Sequence, residues 1–410
     1  MENRRKTLFA IYFAYFLDYF GYAIVFGLFG PLVLNTDFHM FSDDTPLQVR
    51  HLSLAILFAV YPLMQLLFAP VFGDIADHFG RKKTFYILGS GVILGYFFSG
   101  IAIYFHHFLL LLVSRILTGM FSSNRTICMA SLSDLYQDEK GRSKAYGIIA
   151  TLGGLSWIVS ILVGGIFSKA LSPEIPFWIT TGLALVSLLM ILFFFHETRT
   201  KSDVFYFDPF KGIRHIVSCF KIKGLGSLYM YYLVMMMGWG INLLWLNPYT
   251  LSRYSVSHEL LFGLLASTGI VWSLGSSVVN ELLIKRYHTR HIALIGTIGL
   301  IIVFTLCSLM TTFIPFAIFA LLASIFGALA WTNALSTISL TAPEEIQGKV
   351  MGISQSFASV AFMFAPLIAG LLAGINITYV YPMAALLIFI SFLILKLTPQ
   401  PIEEAYEPKV

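Results

Sequence analysis

Long apolar stretches recur along the chain from Leu8 almost to its end, and short polar segments separate them. A helix of roughly 20 apolar residues is long enough to cross the hydrocarbon core of a bilayer. Their continuous apolar character excludes transmembrane β-strands, which alternate apolar and polar residues over about ten positions. The sequence therefore predicts an all-α integral membrane protein with twelve transmembrane helices, at residues 8–34, 51–72, 84–104, 108–133, 144–168, 175–195, 227–250, 259–283, 292–311, 314–339, 349–374 and 378–396.

Composition and charge agree with a membrane protein. Hydrophobic residues make up 58% of the chain and charged residues 11%, whereas soluble domains carry about 25% charged residues. The net charge of +5 is explained by topology, because 21 of the 26 Lys and Arg residues fall on one predicted side of the membrane. The positive-inside rule places that side, with both termini, in the cytoplasm. We therefore expect a multi-pass protein of the inner (plasma) membrane, with the lipid bilayer as a partner and no nucleic acid.

A polar stretch at residues 196–226 falls between the sixth and seventh spans. It divides the chain into an N-terminal half, residues 1–195, and a C-terminal half, residues 227–410, which we predict to be two six-helix bundles. The halves share a weak repeat, since Gly165 is echoed by Gly370 at an offset of 205 residues. Within the linker, apolar residues at helical spacing beside Lys and Arg indicate an amphipathic helix on the inner leaflet or, alternatively, a solvated tether.

The segment between the second and third spans is polar and basic, and it reads GDIADHFGRKK at residues 73–83. It resembles the cytoplasmic loop signature of the major facilitator superfamily, which joins the same two spans. His78 departs from the family pattern, and the matching residues are Gly73, Asp77, Gly80, Arg81, Lys82 and Lys83. The resemblance implies two pseudo-symmetric six-helix bundles that move by alternating access around a central site.

The resemblance also implies a cytoplasmic gate made of these residues. In the family, the arginine at the position of Arg81 pairs with an acid at the cytoplasmic end of span 4, and Asp134 occupies that position here. We expect this pair to hold the two halves together on the cytoplasmic side and to open when the carrier turns inward. Lys82 and Lys83 have a second interpretation, as charges that only set the topology.

Further segments resemble the tetracycline-efflux and drug:proton antiporter branch of the superfamily. LVSRILTGMFSS in span 4 matches a buried-arginine motif through Arg115 and Gly119, and FLDYFGYAIVFGLFGPLVL in span 1 resembles segments whose aspartate helps to couple protons. One departure counts against an antiporter. Span 5 has Ser156, Ser160 and Ile161 where that branch has Gly, Gly and Pro.

Three ionisable residues lie well inside predicted spans: Asp18 in span 1, and Arg115 and Arg125 in span 4. An ionised side chain near the bilayer centre costs about 2.5–3.5 kcal/mol or more, so each is a candidate functional residue. Burial favours the neutral form of a carboxyl group, and we predict that Asp18 carries a coupled proton; the alternative is a structural aspartate. Arg115 is expected to modulate proton release from Asp18, because a nearby cation favours the carboxylate.

Arg125 matches no family motif, and we predict that it binds substrate. A buried guanidinium suits a carboxylate or phosphate, while the alternatives are a salt bridge to Asp18 or a capped carbonyl. The C-terminal half carries no equivalent charge. Its candidate substrate-binding residues are polar or amphipathic side chains, each of which could instead form a helix–helix hydrogen bond: Asn242, Trp245, Asn333 and Gln355.

These features predict a proton-coupled secondary transporter that moves a small organic solute by alternating access. Export of amphipathic drug-like compounds is the leading prediction, and transport of an anionic metabolite or siderophore is the alternative. A transport-inactive receptor or a membrane enzyme on the same scaffold is the rival of another class. We find no metal-ligand spacing, nucleotide loop or nucleophile motif. We therefore expect no cofactor, no metal and no enzymatic activity, in a monomer whose partners are the substrate and protons.

Overall fold

Every regular element that the computed structural model describes, in residues 2–136, 139–198, 214, 224–342 and 347–399, is helical. The helices are α1 (Glu2–Leu34), α2 (Leu47–Phe79), α3 (Arg81–Tyr104), α4 (Phe108–Met120), α5 (Asn124–Leu135), α6 (Glu139–Ala170), α7 (Ile175–Phe194), α8 (Leu225–Tyr254), α9 (His258–Leu274), α10 (Asn280–Ile284), α11 (Thr289–Leu309), α12 (Phe313–Thr341), α13 (Gln347–Ile375) and α14 (Val380–Leu397). A π-helical turn at Gly275–Val279 joins α9 to α10. With α9 and α10 counted together, eleven helical segments of this part of the chain are long and apolar enough to cross a membrane.

The remaining predicted span is divided into α4 and α5 by a break at residues 121–123. The sequence analysis predicted one continuous helix there. Ser122 donates a hydrogen bond to the Gly119 carbonyl oxygen at 2.7 Å, which competes with the helical ladder. The Phe121 ring packs where a Cβ of Gly91 on α3 would lie, so a glycine at that position is required. The cluster Ser122–Ser123–Asn124 is the sequence signal for this break.

The helices form two bundles, as predicted from the resemblance. In the N-terminal half α1 packs against α6 and α7, and α3 packs against α4 and α7. In the C-terminal half α8 packs against α13 and α14, and α11 packs against α12 and α14. The bundles meet through α2 with α13, α6 with α9, and α1 with α8, which is itself a pseudo-symmetric arrangement. The domain boundaries at 195 and 227 stay predictions, and the amphipathic helix of the linker lies outside the described residues.

The two ends of the bundles differ in charge. The basic face is the end formed by residues 2–7, 73–83, 284–290 and 397–399, and the far face is the end at which α1 ends and α2 begins. The two halves are joined near the far face. Asn247 on α8 donates hydrogen bonds to the carbonyl oxygens of Phe26 and Gly27 on α1, at 2.8 and 2.7 Å. Lys169 on α6 forms an ion pair with Glu259 on α9.

Glycine environments differ between the two ends. Near the far face, a Cβ at Gly370 on α13 would lie 2.4 Å from Ala55 on α2, so the helices touch there. Near the basic face, no atom of the described residues lies within 4 Å of a Cβ built at Gly73, Gly147 or Gly352. Among the described residues, the halves therefore touch near the far face, and these three glycines near the basic face meet no neighbour.

Close helix packing by glycine has a testable consequence in the C-terminal half. A Cβ at Gly296 on α11 would lie 2.6 Å from the backbone nitrogen of Ala330 on α12, whereas a Cβ at Gly263 on α9 meets no described atom within 4 Å. We expect Gly296→Ala to destabilise the fold by about 1–3 kcal/mol through overpacking. Gly263→Ala should be neutral or slightly stabilising, since alanine favours helix by about 1 kcal/mol. Thermal unfolding in detergent measures both, and equal melting temperatures would contradict the packing.

Candidate functional site

A buried ion pair lies in the middle of the N-terminal half. Arg125 Nε on α5 is 3.0 Å from Asp18 Oδ2 on α1, and the side chains are 20% and 5% exposed. A charge at this depth is stable only when it is paired or hydrogen-bonded. Of the interpretations considered for Arg125, the structure shows the salt bridge to Asp18.

The break in span 4 determines where this pair forms. Because α5 begins at Asn124, the Asp18 carboxylate lies beside the first turn of a helix, and the Asn124 side chain also reaches it. Backbone N–H groups in a first turn have no helical acceptor and favour a nearby anion. On its other side the guanidinium of Arg125 lies over the rings of Tyr19 and Tyr22, at 4.8 and 5.0 Å from their centroids.

Two serines fix the segment of α1 that carries Asp18. Ser156 on α6 donates a hydrogen bond to the carbonyl oxygen of Phe16 at 2.5 Å, and Ser160 donates to that of Phe20 at 2.6 Å. These are the positions at which span 5 departs from the antiporter pattern. The departure therefore has a structural role, which is to tie α6 to α1 on either side of Asp18.

Arg115 on α4 is 2% exposed and has no carboxylate neighbour among the described residues. Its Nη1 donates to Thr118 Oγ1 at 3.3 Å, and its guanidinium lies 4.6 Å from the Tyr61 ring centroid. Its buried Nε has no hydrogen-bond acceptor among the described residues. Arg115 is therefore a buried cation that cation–π contacts stabilise only in part.

Between the two halves lies a cavity of about 80 Å³, the central cavity. Both arginines line it. Its other polar side chains are Tyr22, Tyr61, Gln65, Gln355 and Ser359, and its aromatic lining is Phe26, Phe58 and Phe362. Asp18 does not belong to this lining, so Arg125 lies between Asp18 and the central cavity.

Three predicted substrate-binding residues do not line the central cavity in this structure. Asn242 accepts a hydrogen bond from Tyr381 at 3.1 Å, and Asn333 donates to Asn280 at 2.7 Å, so both join helices inside the C-terminal bundle. Trp245 is fully buried near the far face, where α8 meets α2 and α13. Helix–helix hydrogen bonds explain why Asn242 and Asn333 are buried, and packing between helices explains why Trp245 is buried. Gln355 and Arg125 do line the central cavity.

Several lining residues were missed by the sequence analysis. Gln65 in the run YPLMQLLFAP is a polar residue in an apolar span, which is a sufficient signal for a candidate. Tyr22, Tyr61 and Ser359 gave no comparable signal, because tyrosine and serine are common in transmembrane helices and their facing direction depends on helix rotation.

The predicted gate residues form a polar cluster at the basic face, and this cluster lies within the N-terminal half. Arg81 Nη2 is 3.1 Å from Asp77 Oδ1, and its Nε donates to Asp134 Oδ2 at 3.3 Å. Both acids belong to the same half as Arg81. In this conformation Arg81 and Asp134 therefore do not join the two halves, and their role as a cytoplasmic gate stays a prediction. Lys83 is exposed.

The joint between α2 and α3 is capped by a distant residue. Glu197, after α7, accepts hydrogen bonds from the backbone N–H groups of Arg81 and Lys82 at 2.9 and 3.1 Å. These are donors of the first turn of α3, which have no helical acceptor. Gly80 has φ +100°, and a Cβ there would lie 2.5 Å from Glu197 Oε2. Glycine is therefore required both by its backbone conformation and by the close approach of the carboxylate.

Two helical bundles around a shared central cavity, with ionisable residues at mid-membrane, define the class of alternating-access membrane carriers. A family model described as Major Facilitator Superfamily matches residues 11–301 and 228–409. The chain belongs to the Major Facilitator Superfamily and is a multi-pass membrane transporter of a small-molecule substrate.

Similar proteins include bacterial resistance proteins. Tetracycline resistance protein, class B, from Escherichia coli is 24% identical over 319 residues, which are 76% of this chain and 77% of that protein. Quinolone resistance protein NorA from Staphylococcus aureus is 26% identical over 201 residues, 47% of this chain and 46% of that protein. The crystal structure of the human organic anion transporter MFSD10 (TETRAN) has a TM-score of 0.70 at 18% identity, over 96% of this chain and 99% of that one. The last likeness shows the fold alone.

The capped joint predicts that Glu197→Ala and Gly80→Ala damage the same contact. We expect each substitution to cost about 1 kcal/mol, the usual value of a lost helix cap, with Gly80→Ala somewhat more because of its positive φ. The double variant should lose less free energy of unfolding than the two single variants lose together, because either substitution alone already breaks the contact. Thermal unfolding in detergent measures this, with Lys83→Ala as the exposed control. Full additivity would show that Glu197 and Gly80 act independently.

Proposed function

We propose that this protein exports amphipathic drug-like compounds in exchange for protons. The observation that carries the proposal is the Asp18–Arg125 ion pair, of which Arg125 also lines the central cavity. A single guanidinium is therefore in contact with a proton-binding group on one side and with the substrate space on the other. The similarity to tetracycline and quinolone resistance proteins supports drug-like substrates and export.

The charge distribution supports an orientation in the membrane. The basic face carries the clusters at residues 4–6, 81–83 and 285–290, and the positive-inside rule assigns such a face to the cytoplasm. Both termini are then cytoplasmic, and the far face is exposed outside the inner membrane of a bacterial cell. The structure described is then the inward-facing conformation of a monomeric carrier.

The mechanism follows from the position of Arg125. In the inward-facing conformation Asp18 is ionised and holds the Arg125 guanidinium at the edge of the central cavity. The interior of the cavity is then free to accept a substrate from the cytoplasm. After the halves rock, protonation of Asp18 from the outside removes its attraction for Arg125. The released guanidinium enters the central cavity, where it opposes a neutral or cationic substrate and favours its release. Return to the inward state lets Asp18 lose its proton to the cytoplasm.

No arrangement among the described residues favours an enzyme. The buried cysteines Cys128 and Cys307 are isolated, and the hydroxyls near the ion pair bond to backbone carbonyls. We therefore propose no catalytic activity.

The test is transport in reconstituted vesicles with tetracycline and norfloxacin as probes. Wild-type protein should move at least one of them against its gradient when a pH gradient is imposed. Asp18→Asn should lower this driven transport by about 100-fold or more, the usual contribution of a positioned proton acceptor, and should weaken binding of a neutral probe at pH 7.5 by about tenfold, because its neutral side chain no longer holds Arg125 away from the central cavity. Asp44→Asn, at an exposed site of the far face, is the control. If Asp18→Asn drives transport as well as wild type, Asp18 does not carry the coupled proton.

An anionic substrate is the second candidate, because the central cavity has two arginines and no carboxylate in its lining. An anion bound to Arg125 would leave Asp18 ionised and unpaired unless Asp18 takes up a proton. This candidate therefore requires proton and anion to bind together and to move in the same direction.

The two candidates predict opposite effects of pH. Affinity for a neutral probe such as chloramphenicol should fall about tenfold between pH 7.5 and pH 5.5 if protonated Asp18 excludes substrate. Affinity for 4-phenylbutyrate should rise over the same range if the anion is carried with a proton. Titration calorimetry with wild type and Arg125→Gln distinguishes them, since Arg125→Gln should remove either dependence. A dependence that persists in Arg125→Gln contradicts its role as the link.

A further inference from the structure

Asp18 lines a second cavity, which lies inside the N-terminal half and is separate from the central cavity. This inner cavity is enclosed by α1, α3, α5 and α7, and its volume is about 30 Å³. Its polar lining consists of Asp18, Tyr96, Asn124, Thr180 and Ser187. None of these five residues lines the central cavity.

The inner cavity lies along α3 and α7, and Asp18 on α1 lies within the stretch that these helices line. Its lining on α3 runs from Tyr96 to Phe85, and on α7 from Thr180 to Ile191. Both intervals correspond to about 16 Å at 1.5 Å per residue, or roughly half of the hydrocarbon thickness. Phe85 and Ile191 are buried in the apolar cluster at the basic end, where the Phe85 and Phe195 rings are 5.2 Å apart. The route is therefore narrow at that end.

We propose that Asp18 exchanges its proton with the basic face through the inner cavity, while substrate uses the central cavity. The proposal rests on the proton-coupled function proposed above. For the described conformation it assigns separate routes to proton and substrate, which the Asp18–Arg125 pair connects, while proton uptake from the outside takes place after the halves rock.

The chemistry of the lining suits a proton route. A cavity of 30 Å³ has room for about two water molecules, since one water needs roughly 10–15 Å³. The Asn124 amide and the Ser187 side chain supply polar partners, which a stable buried water requires, whereas the lining nearest the basic face consists of the apolar side chains of Phe85, Leu188 and Ile191. The central cavity offers no equivalent path, because Arg125 covers Asp18 on that side and would repel an approaching hydronium ion.

The other titratable or charged groups near Asp18 are not carboxyl groups. They are Tyr19 and Tyr22 on α1, Tyr61 on α2, Tyr96 on α3, Arg115 on α4, and Arg125 and Cys128 on α5. A carboxyl signal that appears on acidification in this region therefore belongs to Asp18.

The experiment follows the protonation of Asp18 after a rapid drop from about pH 8 to about pH 5, the range in which a buried carboxyl group titrates. Purified protein in detergent is monitored by time-resolved infrared spectroscopy at the C=O stretch of a protonated carboxyl. The band that is absent from Asp18→Asn is assigned to Asp18. Ser187→Leu fills the inner cavity, Ala358→Leu fills the central cavity, and Gly182→Leu on α7, at an exposed position, is the control.

We expect Ser187→Leu to slow the appearance of the Asp18 band by about tenfold or more, and Ala358→Leu and Gly182→Leu to leave its rate within about twofold of wild type. Thermal unfolding verifies that each variant is folded, and Ser187→Ala provides a smaller change that removes the hydroxyl without filling the space. A slow band in Ala358→Leu with a normal rate in Ser187→Leu would place the proton route in the central cavity. Normal rates in both variants overturn the proposal as well. If wild type and Asp18→Asn have identical bands, the proton-coupled function itself fails, and this outcome is distinct from a wrong route.

Discussion

The structure depends on the cost of holding a carboxylate and two guanidinium groups inside hydrocarbon. Asp18 and Arg125 stabilise each other's charge by pairing at 3.0 Å. The charge of Arg115 is stabilised in part by cation–π contacts with aromatic rings. The surrounding helices hold Asp18 and Arg125 in position. The serines of α6 fix α1 on either side of Asp18, and the interruption of span 4 brings Arg125 to the start of a helix.

In this conformation the polar cluster at the basic face forms contacts within one half and none between the halves among the described residues. Arg81, Asp77, Asp134 and Glu197 connect the ends of four spans within one half. Such a cluster ties the basic-face ends of these spans to one another. A contact that changes during rocking must join the two halves. In this conformation that role belongs to far-face contacts such as Asn247 with the α1 carbonyls.

The sequence was sufficient for the number of spans, because each apolar run has the length that a bilayer requires. It also identified Asp18, Arg115 and Arg125, since charge in hydrocarbon is rare and expensive. It could not separate Gln355, which faces the central cavity, from Asn242, which faces another helix. That distinction depends on helix rotation, which an all-apolar span does not reveal. Glu197 was missed as a cap because it is 116 residues from Arg81 along the chain.

The departure in span 5 bears on where the carrier bends. Glycine at positions 156 and 160 with proline at position 161 would weaken the helical ladder of span 5 and let it bend against its neighbours. Ser156 and Ser160 instead bind α6 to α1, so these two helices move together. The interrupted helix here is span 4, at residues 121–123, directly before Arg125. The interruption of the helical ladder thus lies in span 4 and not in span 5, directly beside the residue that pairs with Asp18. The absence of the usual span-5 motif is therefore physically compatible with antiport by this chain.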